Sequence, residues 1–254
     1  MRIAFTIVYE GLHHLKHKGF TEKMLSMFDY WIIVEGHAKN GGSTNWCNNL
    51  ELPVNSTDGT CEYLTKLMDD NKKVFYVQAK NYWRSKDEQV NMAMSIVRDI
   101  TSSCFLWQVD VDEHWTLEDI KTAEHRLSLS GYKQGEFQFN HYVGEDRIAV
   151  GEWGSGYVTR LFIWNGEKFK THEPPRLRGH IMTYPLQGIK FDHYSYYFAK
   201  DIILKEPYYG YKGLLDNWLT LQESKKESEP ITSLFTDPSH WITNSNTSLI
   251  LMRR

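Results

Sequence analysis

Phe105-Leu106-Trp107-Gln108-Val109-Asp110-Val111-Asp112-Glu113-His114-Trp115 is the stretch that decides how this chain folds. The apolar run from Cys104 has the composition of a strand covered on both faces, and it breaks abruptly into acidic and imidazole groups. Cys104–Val111 therefore reads as a buried strand with its charge at the carboxyl end. In open parallel sheets ligands bind outside the carboxyl ends of the strands, so the cluster stands where chemistry is expected. The two-residue side-chain period of a strand directs Asp110 and Asp112 to one side. Two carboxylates so placed repel unless a cation neutralises them, and hard oxygen ligands suit Mg2+ or Mn2+.

The segments before it alternate. Arg2–Tyr9, Tyr30–Glu35 and Lys73–Ala79 read as strands. Leu12–Phe28 reads as a helix interrupted near Gly19, and Thr57-Asp58-Gly59 opens another that carries Tyr63, Leu64, Leu67 and Met68 on one face. Ser85–Ile100 places Val90, Ala93, Met94 and Val97 at helical spacing. Beyond the acidic cluster, Thr116-x-x-Asp119 resembles a capping box for a helix ending at Gly131. Strands alternating with helices predict βαβ units and a mainly parallel sheet flanked by helices, an α/β fold.

After Gly131 the pattern changes. Glu136–Tyr142 alternates, Tyr157–Trp164 is a further strand, and Asn165-Gly166 signals a hairpin into Glu167–Lys170. A helix is expected near Gly213–Glu223, and the polar stretch Glu223–Pro230 reads as a mobile loop. These are antiparallel additions in the C-terminal half. The whole, residues 1–254, reads as one domain with a ligand-binding half (1–131) and an acceptor-side half (132–254).

Four further features offer chemistry. Glu35-Gly36 ends a strand with a carboxylate suited to accept hydrogen bonds from a nucleoside. Arg84 and Lys86 stand at a helix start, a natural place for a diphosphate. Lys170-Thr-His172-Glu173 and Phe191-Asp192-His193 each pair an imidazole with an acid, and imidazole is a further ligand type for Mn2+. His13, His14, His17, His37, His125, His180 and His240 are set aside, since most histidines neither ligate nor catalyse.

Strand–Glu35-Gly36, Gln89-Val-Asn91 opening a helix, Phe105 to Glu113 with its Asp-x-Asp (DXD) motif, Arg160-Leu-Phe162, His172-Glu173 and His193-Tyr-Ser-Tyr196, in that order, resemble the family 2 and family 17 type glycosyltransferases with the GT-A fold, over residues 1 to about 200. The resemblance implies a Rossmann-like, nucleotide-sugar-dependent enzyme. Glu35, Arg84, Lys86, Asn91 and Asp110 would bind the donor. Asp110, Asp112, His193 and, as second choice, His172 would hold Mn2+ or Mg2+. Asp112, Glu173 and Asp192 form the expected catalytic set, with Glu152 a further candidate for the general base. The acceptor would be a carbohydrate or glycoconjugate. The family's Asp-Asp-Gly-Ser after strand two is replaced by Glu35-Gly-His-Ala, and its Glu-Asp base pair is not evident.

Two rival readings use the same sheet. A sugar nucleotidyltransferase would carry a glycine-rich basic loop after strand one, where this chain has Tyr9-Glu10-Gly11-Leu12-His13-His14. A non-catalytic carbohydrate-binding protein would not need the Asp110/Asp112 pair. Gly36–Asn55 is a candidate lid, and Trp153–Tyr157 a candidate acceptor platform. Lys+Arg 29 against Asp+Glu 32 shows no basic excess for nucleic acid. Three scattered cysteines fit a reducing cytoplasm, and no stretch reaches the ~20 apolar residues of a membrane span.

Overall fold

A computed structural model describes residues 1–237 and 241–252, so His240 lies outside the described residues. In chain order the elements are β1 (Arg2–Val8), α1 (Leu12–Lys16), α2 (Phe20–Met27), β2 (Tyr30–Glu35), α3 (Thr60–Asp70), β3 (Val74–Gln78), α4 (Lys86–Ile100), β4 (Cys104–Gln108), β5 (Glu113–His114) and α5 (Leu117–Ser130). There follow β6 (Gln134–Val143), β7 (Arg147–Gly151), β8 (Val158–Trp164), β9 (Phe169–Thr171), β10 (Arg176–Leu177), β11 (Tyr184–Tyr196), α6 (Ala199–Tyr209), α7 (Leu214–Glu223), β12 (Ser228–Pro230) and β13 (Thr247–Leu251).

The four expected strands share one sheet. β2 pairs parallel with β1 and β3, and β1 pairs parallel with β4. β8 adds antiparallel to β4, and β6 antiparallel to β8. β11 runs parallel to β6 and antiparallel to the short β5, which ties the acidic turn to the rear of the sheet. Neighbouring residues of β1 and β2 point to opposite faces and both faces are covered. Ala4, Trp31 and Ile33 pack with α2, α3 and α5, while Ile3, Phe5, Ile32 and Val34 pack with α4.

Helix ends follow local chemistry. Ser85 Oγ accepts the Glu88 N–H at the start of α4, and Thr116 Oγ1 accepts the Asp119 N–H at the start of α5. Gly131 ends α5 at φ 77°, a left-handed angle that glycine adopts without a Cβ clash.

Several expectations are corrected. β4 stops at Gln108 rather than Val111, because the chain turns at once: the Glu113 N–H donates to Asp110 O at 3.0 Å. Asn165-Gly166 is a turn but not a hairpin, since β9 leaves the sheet and pairs with β10 in a separate ribbon. Glu223–Pro230 is not a free loop; it includes β12, and buried Arg147 donates to the carbonyls of Ser224 and Lys226. α6 carries no expectation from the sequence, yet it walls the site.

Candidate functional site

The acidic turn is fixed from beneath by β1. Buried Thr6 donates its hydroxyl to Val109 O at 2.7 Å and accepts the Trp31 indole N–H at 2.9 Å, while the Val109 N–H donates to Phe5 O. The backbone entering Asp110 is therefore held by a rigid strand. From above, the Tyr194 N–H of β11 donates to Asp112 O at 2.7 Å. A cleft of about 380 Å3 opens beyond the carboxyl ends of β1, β2 and β4, and Asp110, Asp112, His172, Glu173, His193 and Lys86 all line it.

The two aspartates have separate partners. Arg160, on β8, places Nη2 3.0 Å from Asp110 Oδ2 and its Nε 2.8 and 3.0 Å from the two oxygens of fully buried Glu113. Asp112 instead has His193 Nε2 at 3.4 Å from Oδ2. Burial opposes the Asp112 charge, but the His193 charge and hydrogen bond hold its carboxyl far below the usual carboxylate range. Burial pushes Glu113 up to about 7, against the pull of Arg160. The mutual repulsion inferred for Asp110 and Asp112 thus has a side-chain neutraliser on the Asp110 side, and Asp112 is the carboxylate free of Arg160.

His172 is buried beside the cleft; its backbone N–H donates to Asp87 Oδ1 at 2.6 Å, and burial holds its imidazole neutral. Glu173 is exposed at the cleft, where desolvation by the surrounding walls raises its carboxyl against the charges of Arg160 and Lys86. Asp110, Asp112, His172 and His193 do not converge as a ready four-ligand set. Among the described residues, His13, His14 and Asp201 form the one group of three or more metal-capable side chains with ligand atoms all within 4.8 Å.

Other expected residues lie elsewhere. Glu35 is fully buried, and its carboxylate accepts from Ser56 N, Ser56 Oγ and Asn55 Nδ2, which fastens the following loop rather than facing a ligand. The cleft is met instead by Gly36 and His37. Gly36 has φ 125°, and a Cβ there would meet Ala79 Cβ at 2.3 Å. Arg84 is 87% exposed, pairs with Glu88 and borders a separate recess with Asn91 and Lys168. Asn91 is used structurally: it donates to Asp87 O and Phe169 O and accepts the Phe169 N–H. Asp192 is adjacent to His193 on β11 and so projects to the other face, where it accepts from Asn140 and Tyr142. Glu152 is exposed in a loop and does not line the cleft. Trp153 is buried against His141, with ring centroids 4.0 Å apart, so it offers no open stacking face.

The sequence reading missed His14, Asp201 and Lys205, which line the cleft, and gave Arg160 no role. A usable signal existed for the first: His13-His14 directly follows the β1 turn, the position that faces the ligand in a doubly wound sheet. Asp201 had none, because α6 was not anticipated.

No protein-family model matches the sequence, and no curated protein matches it. Solved structures that the chain matches include S. aureus TarS residues 1–349, at 12% identity over 86% of this chain and 69% of that one, with a TM-score of 0.47. S. aureus TarS 1–349 in complex with UDP-GlcNAc matches at 14% identity over 57% of this chain and 36% of that one, TM-score 0.39. Francisella tularensis 2-C-methyl-D-erythritol 4-phosphate cytidylyltransferase matches at 10% identity over 64% of this chain and 73% of that one, TM-score 0.36.

Proposed function

We propose that the protein is a glycosyltransferase that moves a sugar from a nucleotide-sugar donor to an acceptor hydroxyl. The observation that carries this reading is the placement of Asp112 and His193 together in a cleft at the carboxyl edge of a parallel sheet. The motif resemblance to GT-A glycosyltransferases supports it. Lys86, the first residue of α4, lines the same cleft and suits a diphosphate.

Asp112 and His193 fit a divalent cation such as Mn2+ or Mg2+, since such ions commonly take one or two protein ligands and complete their shell with phosphate oxygens and water. A cation there supplies charge stabilisation to the departing diphosphate. The chain's own groups do the rest. Lys86 offsets phosphate charge, Arg160 keeps Asp110 and Glu113 compatible at the turn, and Glu173, one of several carboxylates lining the cleft, takes the acceptor proton. A raised carboxyl accepts a proton more readily near neutral pH than an ordinary one.

The test is a thermal-shift panel of nucleotide sugars with and without Mn2+, followed by donor hydrolysis. One donor should raise the melting temperature by mass action, more so with Mn2+, and should be hydrolysed slowly. Stabilisation by no nucleotide sugar, or pyrophosphate release from a nucleoside triphosphate and a sugar phosphate, would overturn the proposal. Transfer that survives thorough chelation would remove the cation from it.

A further inference from the structure

His13 and His14 lie in α1 just beyond the β1 turn, and Asp201 lies in the first turn of α6. Residues 188 and 187 positions apart in sequence thus meet at one carboxylate. His13 Nε2 stands 2.9 Å from Asp201 Oδ1, and His14 Nε2 stands 2.8 Å from Oδ2. The rings are held in place by each other, with centroids 4.4 Å apart, and by Phe198, which packs edge-on against both. His14 and Asp201 are buried, and both line the cleft. The Nδ1 atoms of both rings are buried without a hydrogen-bond partner.

We propose that His13, His14 and Asp201 form a binding site for a divalent transition-metal ion of the zinc, cobalt or manganese class in the wall of the cleft. Two imidazoles and one carboxylate are a donor set of open zinc sites, whose remaining position is filled by solvent or substrate oxygen. Here that oxygen comes from the cleft. The three ligand atoms already lie within 4.8 Å of one another, so binding needs little rearrangement. On binding, two N–H···O hydrogen bonds are replaced by two N–metal bonds. Each Nε2 proton moves to Nδ1 of its own ring, which keeps both imidazoles neutral while Nε2 takes the metal, and the carboxylate stays ionised. Burial opposes the Asp201 charge, but the two imidazole hydrogen bonds hold its carboxyl at about 2, so the ligand is anionic at neutral pH. Lys205 adds a nearby positive charge, while Glu10 and Asp112 on the same cleft oppose it. The inference does not rest on the Asp112–His193 pair or on the proposed reaction.

Co2+ is the probe, titrated into the full chain and followed by visible d–d absorption, with Zn2+ as competitor. Wild-type protein should give a saturable band that Zn2+ displaces. Asp201→Asn and His14→Gln should each weaken Co2+ binding by roughly tenfold or more, whereas Glu118→Gln, an exposed acid away from the cleft, should change it less than about twofold. Absence of saturable Co2+ binding overturns the site, and so does binding that survives Asp201→Asn but is lost in Asp112→Asn. If Asp201→Asn fails to fold, imidazole NMR of wild-type protein decides. Zn2+ must shift the His13 and His14 ring signals, and unchanged signals leave the cluster a hydrogen-bonded tie between α1 and α6.

Discussion

Asp110 and Asp112 are two residues apart and differ in what neutralises them. Arg160 contacts Asp110 and Glu113 together, and with Glu113 at 0% exposure the pair is buried. Removing the guanidinium leaves a buried carboxylate without its partner, so Arg160→Met should cost about 3–5 kcal/mol in urea unfolding. The double variant Arg160→Met/Glu113→Leu should recover much of that loss. A single variant within about 1 kcal/mol of wild type would show that the pair is not a stability element. Asp112→Asn should leave the fold nearly intact, as among the described residues its side chain is tied only to His193. Turnover with an identified donor should fall on the order of a hundredfold at fixed Mn2+. Turnover unchanged by this substitution would remove Asp112 from the chemistry. The acidic cluster and the late histidine were legible because residue type and position at a strand end carry that meaning. Arg84 and Asn91 misled, because a helix start has several faces and the sequence does not say which one meets the cleft.

At the scale of elements, the polar stretch after α7 shows why composition alone misreads a segment. Ser, Lys and Glu suggested a mobile loop, but Arg147 at the start of β7 reaches under it. Its guanidinium, 1% exposed as a residue, donates to Leu221 O, Leu249 O, Ser224 O and Lys226 O, so α7, β13 and the intervening chain meet on one side chain. No period or motif in residues 223–230 records this, because the partner is nearly 80 residues away. Arg147→Met should cost about 3 kcal/mol, since several carbonyls lose a charged donor and some stay buried. It should also expose the Lys225-Lys226 bond to trypsin under native conditions. Limited proteolysis that matches wild type would mean that β12 and β13 hold the segment without Arg147. Asn165-Gly166 teaches the complementary lesson. Its turn forms as the dipeptide predicts, yet Asn91 captures the Phe169 backbone and draws the following strand to α4 instead of back onto β8.

For the whole molecule, the parallel front half was legible because buried strands and amphipathic helices write their periods into the sequence. The rear half was less so, since β11 meets β6 and β5 by long-range pairing. Burial in both halves also holds a set of histidines neutral. Burial pushes His114 down to about 3 and holds His141 and His172 well below 6.5; each is under 8% exposed. Burial also lowers His17, to about 4, and His37. In the unfolded chain these groups take up protons near pH 6.5, while in the folded chain they do not, so the unfolded state binds more protons below that pH. Stability therefore rises with pH across this window and is lost as pH falls from 6.5 toward 5. Glu113, pushed up to about 7, works in the opposite direction, and exposed Glu173 does so more weakly. The buried imidazoles outnumber these two carboxylates, so the net slope keeps the sign that the imidazoles set. Urea midpoints at pH 7.5, 6.0 and 5.0 should decline in that order, with the steeper step below pH 6.5. A midpoint that stays flat or rises toward pH 5 would mean that these rings take up protons in the folded chain and are less closely packed than their burial indicates.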